Sequence, residues 1–112
     1  MRKASVYRND ELAGMLIEEN TNSYIFRYDD KWFSDHTKPS ISLTLPKTIK
    51  EYHSTILFPF FFNMLSEGVN RKLQTRQLKI DENDNFGLLL ATAQYDTIGA
   101  VTVRPIQNDG NA

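Results

Sequence analysis

The pattern of apolar and polar residues in the first third of the chain predicts β-structure. Within Tyr24–Tyr28 aromatic side chains take every second position, a period of two that is typical of a strand with one buried face. Two further runs, Ala4–Arg8 and Leu12–Glu18, are short strand candidates, and polar turn residues separate the three segments. Gly14 lies inside the second run, which indicates a β-bulge or a close approach of another backbone. We therefore predict three short strands joined by turns.

A further alternation follows in the middle of the chain. Ser40–Leu45 alternates apolar with hydroxyl side chains between Pro39 and Pro46. This pattern predicts a fourth strand, with three apolar side chains on one face: Ile41, Leu43 and Leu45. The polar stretch Pro46–Ser54 is expected to be a loop, and Asp29–Phe33 a turn or a single helical turn.

The spacing of apolar residues becomes helical after residue 55. Ile56–Leu65 is rich in phenylalanine, and Pro59 is compatible with a helix there only in its first turn. A second helix is predicted over Val69–Lys79 and a third over Phe86–Gln94.

The last part of the chain completes the fold prediction. Asp84 or Asn85 is suited to cap the third helix, and Gly99–Pro105 predicts a closing strand. These elements predict an α+β fold: a small antiparallel β-barrel or sheet capped by two to three helices. We expect one domain over residues 1–106 and a flexible tail over residues 107–112, which is polar and offers no core anchor.

Composition narrows the class of protein. The chain has 112 residues, 40% of them hydrophobic and 12% aromatic, which is typical of one globular domain. A formal net charge of −1 gives no overall attraction for nucleic acid. The absence of cysteine excludes disulfides, thiolate zinc sites and thiol nucleophiles. Without a signal-peptide or membrane-spanning pattern, we expect a cytoplasmic protein with no membrane contact.

No motif for catalysis, metal or cofactor binding stands out. Asp81–Asn85 begins like a calcium loop, but Phe86 replaces the glycine at its sixth position and Thr92 the glutamate at its twelfth. His36 and His53 lie in polar stretches without ligand spacing, so we interpret them as surface histidines. We therefore predict no catalytic, metal or cofactor site.

Two features leave alternatives open. Four basic residues are expected on the exposed side of the second helix: Arg71, Lys72, Arg76 and Lys79. They form either a solvated helix face or a contact with an acidic partner surface. The run Phe60–Phe62 is expected mainly in the core, but three consecutive aromatic residues cannot all face one narrow core stripe, and one of them is a candidate for a partner interface. Trp32 is expected in the core.

Four segments carry a family resemblance when taken together. They are Pro39–Pro46 (P-S-I-S-L-T-L-P), Phe60–Gly68 (F-F-F-N-M-L-S-E-G), Asp84–Leu89 (D-N-F-G-L-L) and Asp96–Val101 (D-T-I-G-A-V). In order and spacing they resemble the N-terminal subdomain of HipA-type serine/threonine kinases of bacterial toxin–antitoxin systems. Thr44 departs from the family's usual serine and Ser66 from its usual proline.

The resemblance implies a binding role. It covers about residues 4–106, whereas the kinase body of full-length members has no counterpart here, so no catalytic residue is carried over. The chain resembles the HipS-like antitoxins of HipB–HipS–HipT systems, which implies binding and inhibition of a HipT-like kinase toxin. A HipB-like DNA-binding protein is a further partner in a ternary complex, and no direct nucleic-acid contact is implied. The alternative is the N-terminal regulatory subdomain cut from a full-length HipA-type kinase.

The candidate partner-binding element is the turn after the aromatic helix, with that helix packed behind it. Its predicted residues are Phe61, Ser66, Glu67, Gly68, Val69, Asn70 and Arg71. A turn held between two helices needs little further ordering when it binds. The alternative is that Glu67 and Gly68 merely end one helix and begin the next.

Overall fold

Five antiparallel strands form one sheet in the computed structural model. They are β1 Arg2–Arg8, β2 Glu11–Asn20, β3 Ser23–Tyr28, β4 Glu51–Ser54 and β5 Val101–Pro105. Their order across the sheet is β4-β3-β2-β1-β5. The structure describes residues 1–65, 68–93 and 101–106. The sheet is open, with β4 and β5 at its edges, so the α+β prediction is confirmed in its sheet form and not as a closed barrel.

Four helices accompany the sheet. They are α1 Asp30–Ser34, α2 Pro59–Phe62, α3 Gly68–Leu78 and α4 Asn85–Thr92. Pro59 occupies the first turn of α2, and the Asp84 side chain caps α4, as predicted. The helix predicted over the aromatic run is shorter than expected, because α2 ends at Phe62 and irregular turns follow. Gln94, residues 99–100 and the predicted tail 107–112 lie outside the described residues.

The hairpin between β1 and β2 turns on two residues. Asn9 and Asp10 have φ angles of 52° and 63°, and Arg8 pairs with Glu11 across them. Positive φ at both central positions belongs to the type I′ turn, whose twist matches that of the flanking strands. Asn and Asp tolerate this left-handed conformation better than other non-glycine residues, so the turn sets the register of the hairpin.

Gly14 meets both conditions that its position in the sequence suggested. A Cβ atom there would lie 2.5 Å from the Arg27 carbonyl oxygen and 2.9 Å from the Phe26 ring. The β1–β2 register also shifts beside it: Val6 pairs with Gly14, whereas Tyr7 pairs with Leu12. Ala13 is therefore the extra residue of a β-bulge, which bends the strand locally.

The core lies between one face of the sheet and the helices. Tyr24, Phe26 and Tyr28 of β3 are buried on that face, as the period of two predicts. The Phe26 ring meets the Phe61 ring of α2 at a centroid distance of 5.8 Å. Trp32 is also buried, as expected, and its indole N–H donates to the Pro39 carbonyl at 2.9 Å.

The strand predicted over Ser40–Leu45 does not form; this segment is a series of turns. Its three apolar side chains do not share a face, because Ile41 and Leu45 are buried while Leu43 is 98% exposed. The Tyr28 hydroxyl explains the difference. It donates to the Leu45 carbonyl and accepts the Ile41 amide at 3.1 Å. A side chain of β3 thus satisfies backbone groups that a neighbouring strand would otherwise pair.

The loop predicted over Pro46–Ser54 is partly wrong as well, because Glu51–Ser54 forms the edge strand β4. Glu51 stands opposite Arg27 of β3, and their side chains form a 2.7 Å ion pair. The Arg27 hydrogen bond, followed by that of His53, lowers the pKa of Glu51. Charged residues are typical of an edge strand, where they oppose pairing with other chains.

Replacing Leu45 or Leu43 by alanine distinguishes the turn structure from the predicted strand. We expect Leu45→Ala to lower the free energy of unfolding by about 2–5 kcal/mol, because it leaves a cavity in the core. Leu43→Ala should change it by less than about 0.5 kcal/mol, because that side chain is in solvent. Urea denaturation of both variants measures the difference. Equal losses would mean that both residues face the core.

Candidate functional site

The three consecutive phenylalanines of α2 point in different directions. Successive residues of a helix are rotated by about 100°, so their side chains diverge. Phe61 is fully buried, with its ring edge-on to Phe60 at 5.2 Å. Phe60 is half-buried, and Phe62 is 40% exposed. The member of the run that is available to a partner is therefore Phe62.

Phe62 forms one wall of a shallow apolar groove of about 310 Å³. We call it the α2 groove; it is lined by Ile56, Leu57, Pro59, Phe62 and Asn85. Ile56 also lines the groove and is 64% exposed. Exposed large apolar residues that flank a concave surface, with a polar group at one end, suit the insertion of an apolar side chain from a partner protein.

The residues predicted to bind a partner have different positions in the structure. Phe61 lies in the core behind the groove, where it has no exposed surface. Ser66 and Glu67 lie outside the described residues. Gly68 is the first residue of α3, Val69 follows in its first turn, and Asn70 is exposed.

Arg71, the last of the predicted residues, connects α3 to the groove. Its Nη2 donates to the Glu82 carbonyl at 2.7 Å and to the Asn85 side-chain oxygen. Because Asn85 lines the groove, the first turn of α3 is tied directly to it. Sequence reasoning treated Arg71 as part of an exposed basic face, whereas the structure uses it to hold two elements together.

A second arginine, Arg2, holds Asp84, the residue that precedes Asn85. The Arg2 guanidinium makes two hydrogen bonds to Asp84, at 2.7 and 3.0 Å, and its Nε donates to Glu18 at 2.8 Å. Asp84 also accepts the Gly87 amide at 3.0 Å, which caps α4. The guanidinium lies 5.2 Å from the centre of the Phe86 ring. We call this arrangement the Arg2 clamp (Arg2, Glu18, Asp84). Sequence analysis missed it, because an isolated N-terminal arginine carries no motif.

Hydrogen bonds and burial shift the pKa values of Arg2, Asp84 and the neighbouring Tyr24. The Arg2 hydrogen bonds hold the pKa of Asp84 below its usual value, and the Asp84 hydrogen bonds raise the pKa of Arg2. Tyr24 donates to Glu18 at 3.2 Å. Burial and then the Glu18 charge raise the pKa of Tyr24. Near neutral pH Asp84 is therefore ionised, and Arg2 and Tyr24 are protonated.

The remaining candidate chemistry is at the surface. His36 and His53 are both exposed, as predicted, and His53 contacts Glu51 at 2.6 Å. Among residues 1–65, 68–93 and 101–106, no three His, Asp or Glu side chains are grouped so that they could hold a metal ion. In the same ranges no helix is long and apolar enough to cross a membrane.

Comparison with known proteins identifies a family. Residues 4–104 match the family described as "HipA N-terminal domain". A solved structure described as "N-terminal domain of HipA toxin" is similar with a TM-score of 0.70 and 25% identity, and the match covers 96% of this chain and 95% of that one.

Sequence relatives differ in how much of their length is matched. A Haemophilus influenzae protein named "Uncharacterized protein" is 29% identical over 104 residues, which is 93% of this chain and 92% of that protein. The putative kinases Y4dM and Y4mE of Sinorhizobium fredii are 32% and 24% identical. Those two matches cover 76% and 94% of this chain, but only 22% and 25% of the two kinases.

Replacing Asp84 by asparagine tests the clamp, since asparagine can still cap a helix but carries no charge. We expect Asp84→Asn to lower the free energy of unfolding by about 1–2 kcal/mol at neutral pH, a value reduced because both partners are partly exposed. The pKa of Asp84 is lower in the folded protein than the value of about 3.9 expected when unfolded. The contribution is therefore complete above that value and disappears as the pH falls through the folded pKa.

Denaturation of wild type and variant at about pH 7 and about pH 2 tests whether their free energies of unfolding become equal at low pH. Asp10→Asn is the matched control, because Asp10 also binds an arginine, Arg104 at 2.6 Å, but is far more exposed. That control should cost less than about 0.5 kcal/mol. A loss for Asp84→Asn that stays constant with pH would contradict the role of its charge.

Proposed function

The chain belongs to the HipA N-terminal domain family, and we propose that it is an antitoxin that binds and inhibits a HipT-like serine/threonine kinase toxin. The similarity is to an N-terminal domain of HipA and not to the kinase catalytic domain. The proposed activity is accordingly binding, without catalysis and without a cofactor. The domain docks across the N-lobe of the kinase, near its ATP site.

The observation that carries this proposal is how the domain is distributed among relatives. The matched region amounts to 22% and 25% of the two putative kinases, but to 92% of the Haemophilus influenzae protein. A domain that is covalently part of some kinases has a surface that suits the rest of those chains. A separate copy can use the same surface on a kinase that lacks the domain, at the expense of rigid-body entropy.

The surface that we assign to the kinase is the α2 groove together with the segment 66–71. The groove supplies two exposed apolar walls, Ile56 and Phe62. Phe61 supports α2 from the core, and Arg71 ties the start of α3 to the groove through Asn85. A surface supported in this way loses little conformational freedom on binding, which favours affinity.

One other function has specific support. The matches to putative kinases favour a regulatory N-terminal subdomain of a full-length HipA-type kinase, in which the same surface would contact the following lobes of its own chain. A HipB-like DNA-binding protein remains a further proposed partner, in a ternary complex where this chain makes no direct contact with nucleic acid. The gene that follows this chain's coding sequence distinguishes antitoxin from regulatory subdomain.

Co-expression with the HipA-related kinase encoded nearest in the same genome tests the antitoxin function. We expect the kinase alone to arrest growth and the pair to grow, because binding blocks the kinase. The purified proteins should elute together on gel filtration. Continued growth arrest and separate elution would overturn the proposal.

Two substitutions of equally exposed residues locate the binding surface. Phe62 and Leu12 are each 40% exposed, but Leu12 lies on β2, away from the α2 groove. Phe62→Ser should weaken kinase binding at least about 10-fold, because buried aromatic residues dominate the energy of interfaces. Leu12→Ser should bind like wild type. Calorimetric titration gives both affinities, and thermal denaturation verifies that both variants fold. Equal affinities would move the interface away from the groove.

A further inference from the structure

Helix α3 concentrates positive charge in a chain that is otherwise acidic. Residues 68–80 contain four lysine or arginine residues and no aspartate or glutamate. Because the whole chain has a formal net charge of −1, the residues outside this segment have a net charge of −5. Four cations on thirteen residues without one anion give this segment a distinct electrostatic surface.

The four cations have two different roles. Arg71 turns inward to Glu82 and Asn85. Lys72, Arg76 and Lys79 are exposed, and none of them forms an ion pair with any residue that the structure describes. Lys72 and Arg76 are four residues apart and lie on one side of α3. Lys79 directly follows the last helical residue, Leu78, with a φ of 57°. We call this set the α3 basic face.

An exposed apolar side chain lies beside the basic face. Leu73 is 47% exposed and follows Lys72 directly, three residues before Arg76. A leucine that is half exposed contributes less hydrophobic stabilisation than a buried one. A partner that covers Leu73 would recover this stabilisation, whereas a solvated basic face gives Leu73 no role.

We propose that the α3 basic face docks on an acidic surface of a protein that also covers the neighbouring side chain of Leu73. This inference rests on the proposed function and names the chemistry of the kinase surface next to the one bound by the α2 groove. Carboxylates of the partner would pair with Lys72, Arg76 and Lys79, and an apolar residue among them would cover Leu73. Complementary charges of this kind speed association and orient the partner.

The observations favour a protein over a nucleic acid as the occupant. Lys72 and Arg76 lie only about 6 Å apart along the helix axis, at 1.5 Å per residue, and Lys79 follows the end of the helix. Asp81 and Glu82 follow at once, and both are exposed. Duplex DNA continues for many charges at about 1.7 Å each, so these carboxylates would repel its next phosphates. A compact acidic patch on a protein matches the short extent of the face and can end before it reaches Asp81 and Glu82.

The test compares two pairs of neutralised cations in the full chain. Lys72→Gln with Arg76→Gln removes charge from the basic face, and Lys3→Gln with Lys31→Gln removes the same charge from β1 and α1. Lys3 and Lys31 are exposed and have no ion pair among the described residues, which makes them a matched control. Affinity for the kinase is measured for each variant at about 0.05 M and about 0.3 M salt, and thermal denaturation verifies folding.

We expect the α3 pair to weaken binding about 10-fold at low salt and to reduce its salt dependence, while the control pair leaves affinity unchanged. Equal affinity of both pairs with wild type would overturn the α3 proposal and leave the kinase-binding function intact. A wild-type chain that fails to bind the kinase would overturn both. Retention of wild type on duplex DNA, lost in the α3 pair, would assign the face to nucleic acid and overturn the protein partner.

Discussion

The contact between Arg2 and Asp84 is the constraint on which most of the helical layer depends. It joins β1 to the residue before α4, 82 positions away in the chain. The same carboxylate caps α4, and the absence of a side chain at Gly87 makes this geometry feasible, because a Cβ atom there would lie 2.2 Å from the Asp84 carboxylate. Any residue other than glycine at position 87 would displace this carboxylate, and α4 begins where Arg2 holds its cap.

Other elements take their places from α4. Its first residue, Asn85, accepts from Arg71 and so positions the start of α3. At its other end, the Ala93 carbonyl accepts the Val103 amide of β5 at 3.1 Å. Phe86 is buried under the Arg2 guanidinium. The α2 groove, α3 and one edge of the sheet are thus connected to a single charged contact, which explains why so small a domain can present a defined surface.

The parts of the fold that sequence could predict are those with local causes. A period of two identified β3, short runs bounded by turn residues identified β1 and β2, and the Pro59 and Asp84 positions identified the starts of α2 and α4. The failures have distant causes. Turns replace the strand predicted at Ser40–Leu45 because the hydroxyl of Tyr28 binds its backbone. For the candidate site, sequence indicated the aromatic run and Arg71, but which phenylalanine is exposed depends on the direction in which α2 packs.

Arg71 lies at the junction of the two proposed contact surfaces, and its geometry decides how they relate. Its side chain points toward Asn85 and the groove, whereas the next residue, Lys72, is exposed on the basic face. Apolar burial in the α2 groove would supply most of the affinity, and the cations of α3 would set orientation and association rate. Since one short helix start connects both surfaces, a partner that engages one is positioned to engage the other. The second contact then costs little additional ordering.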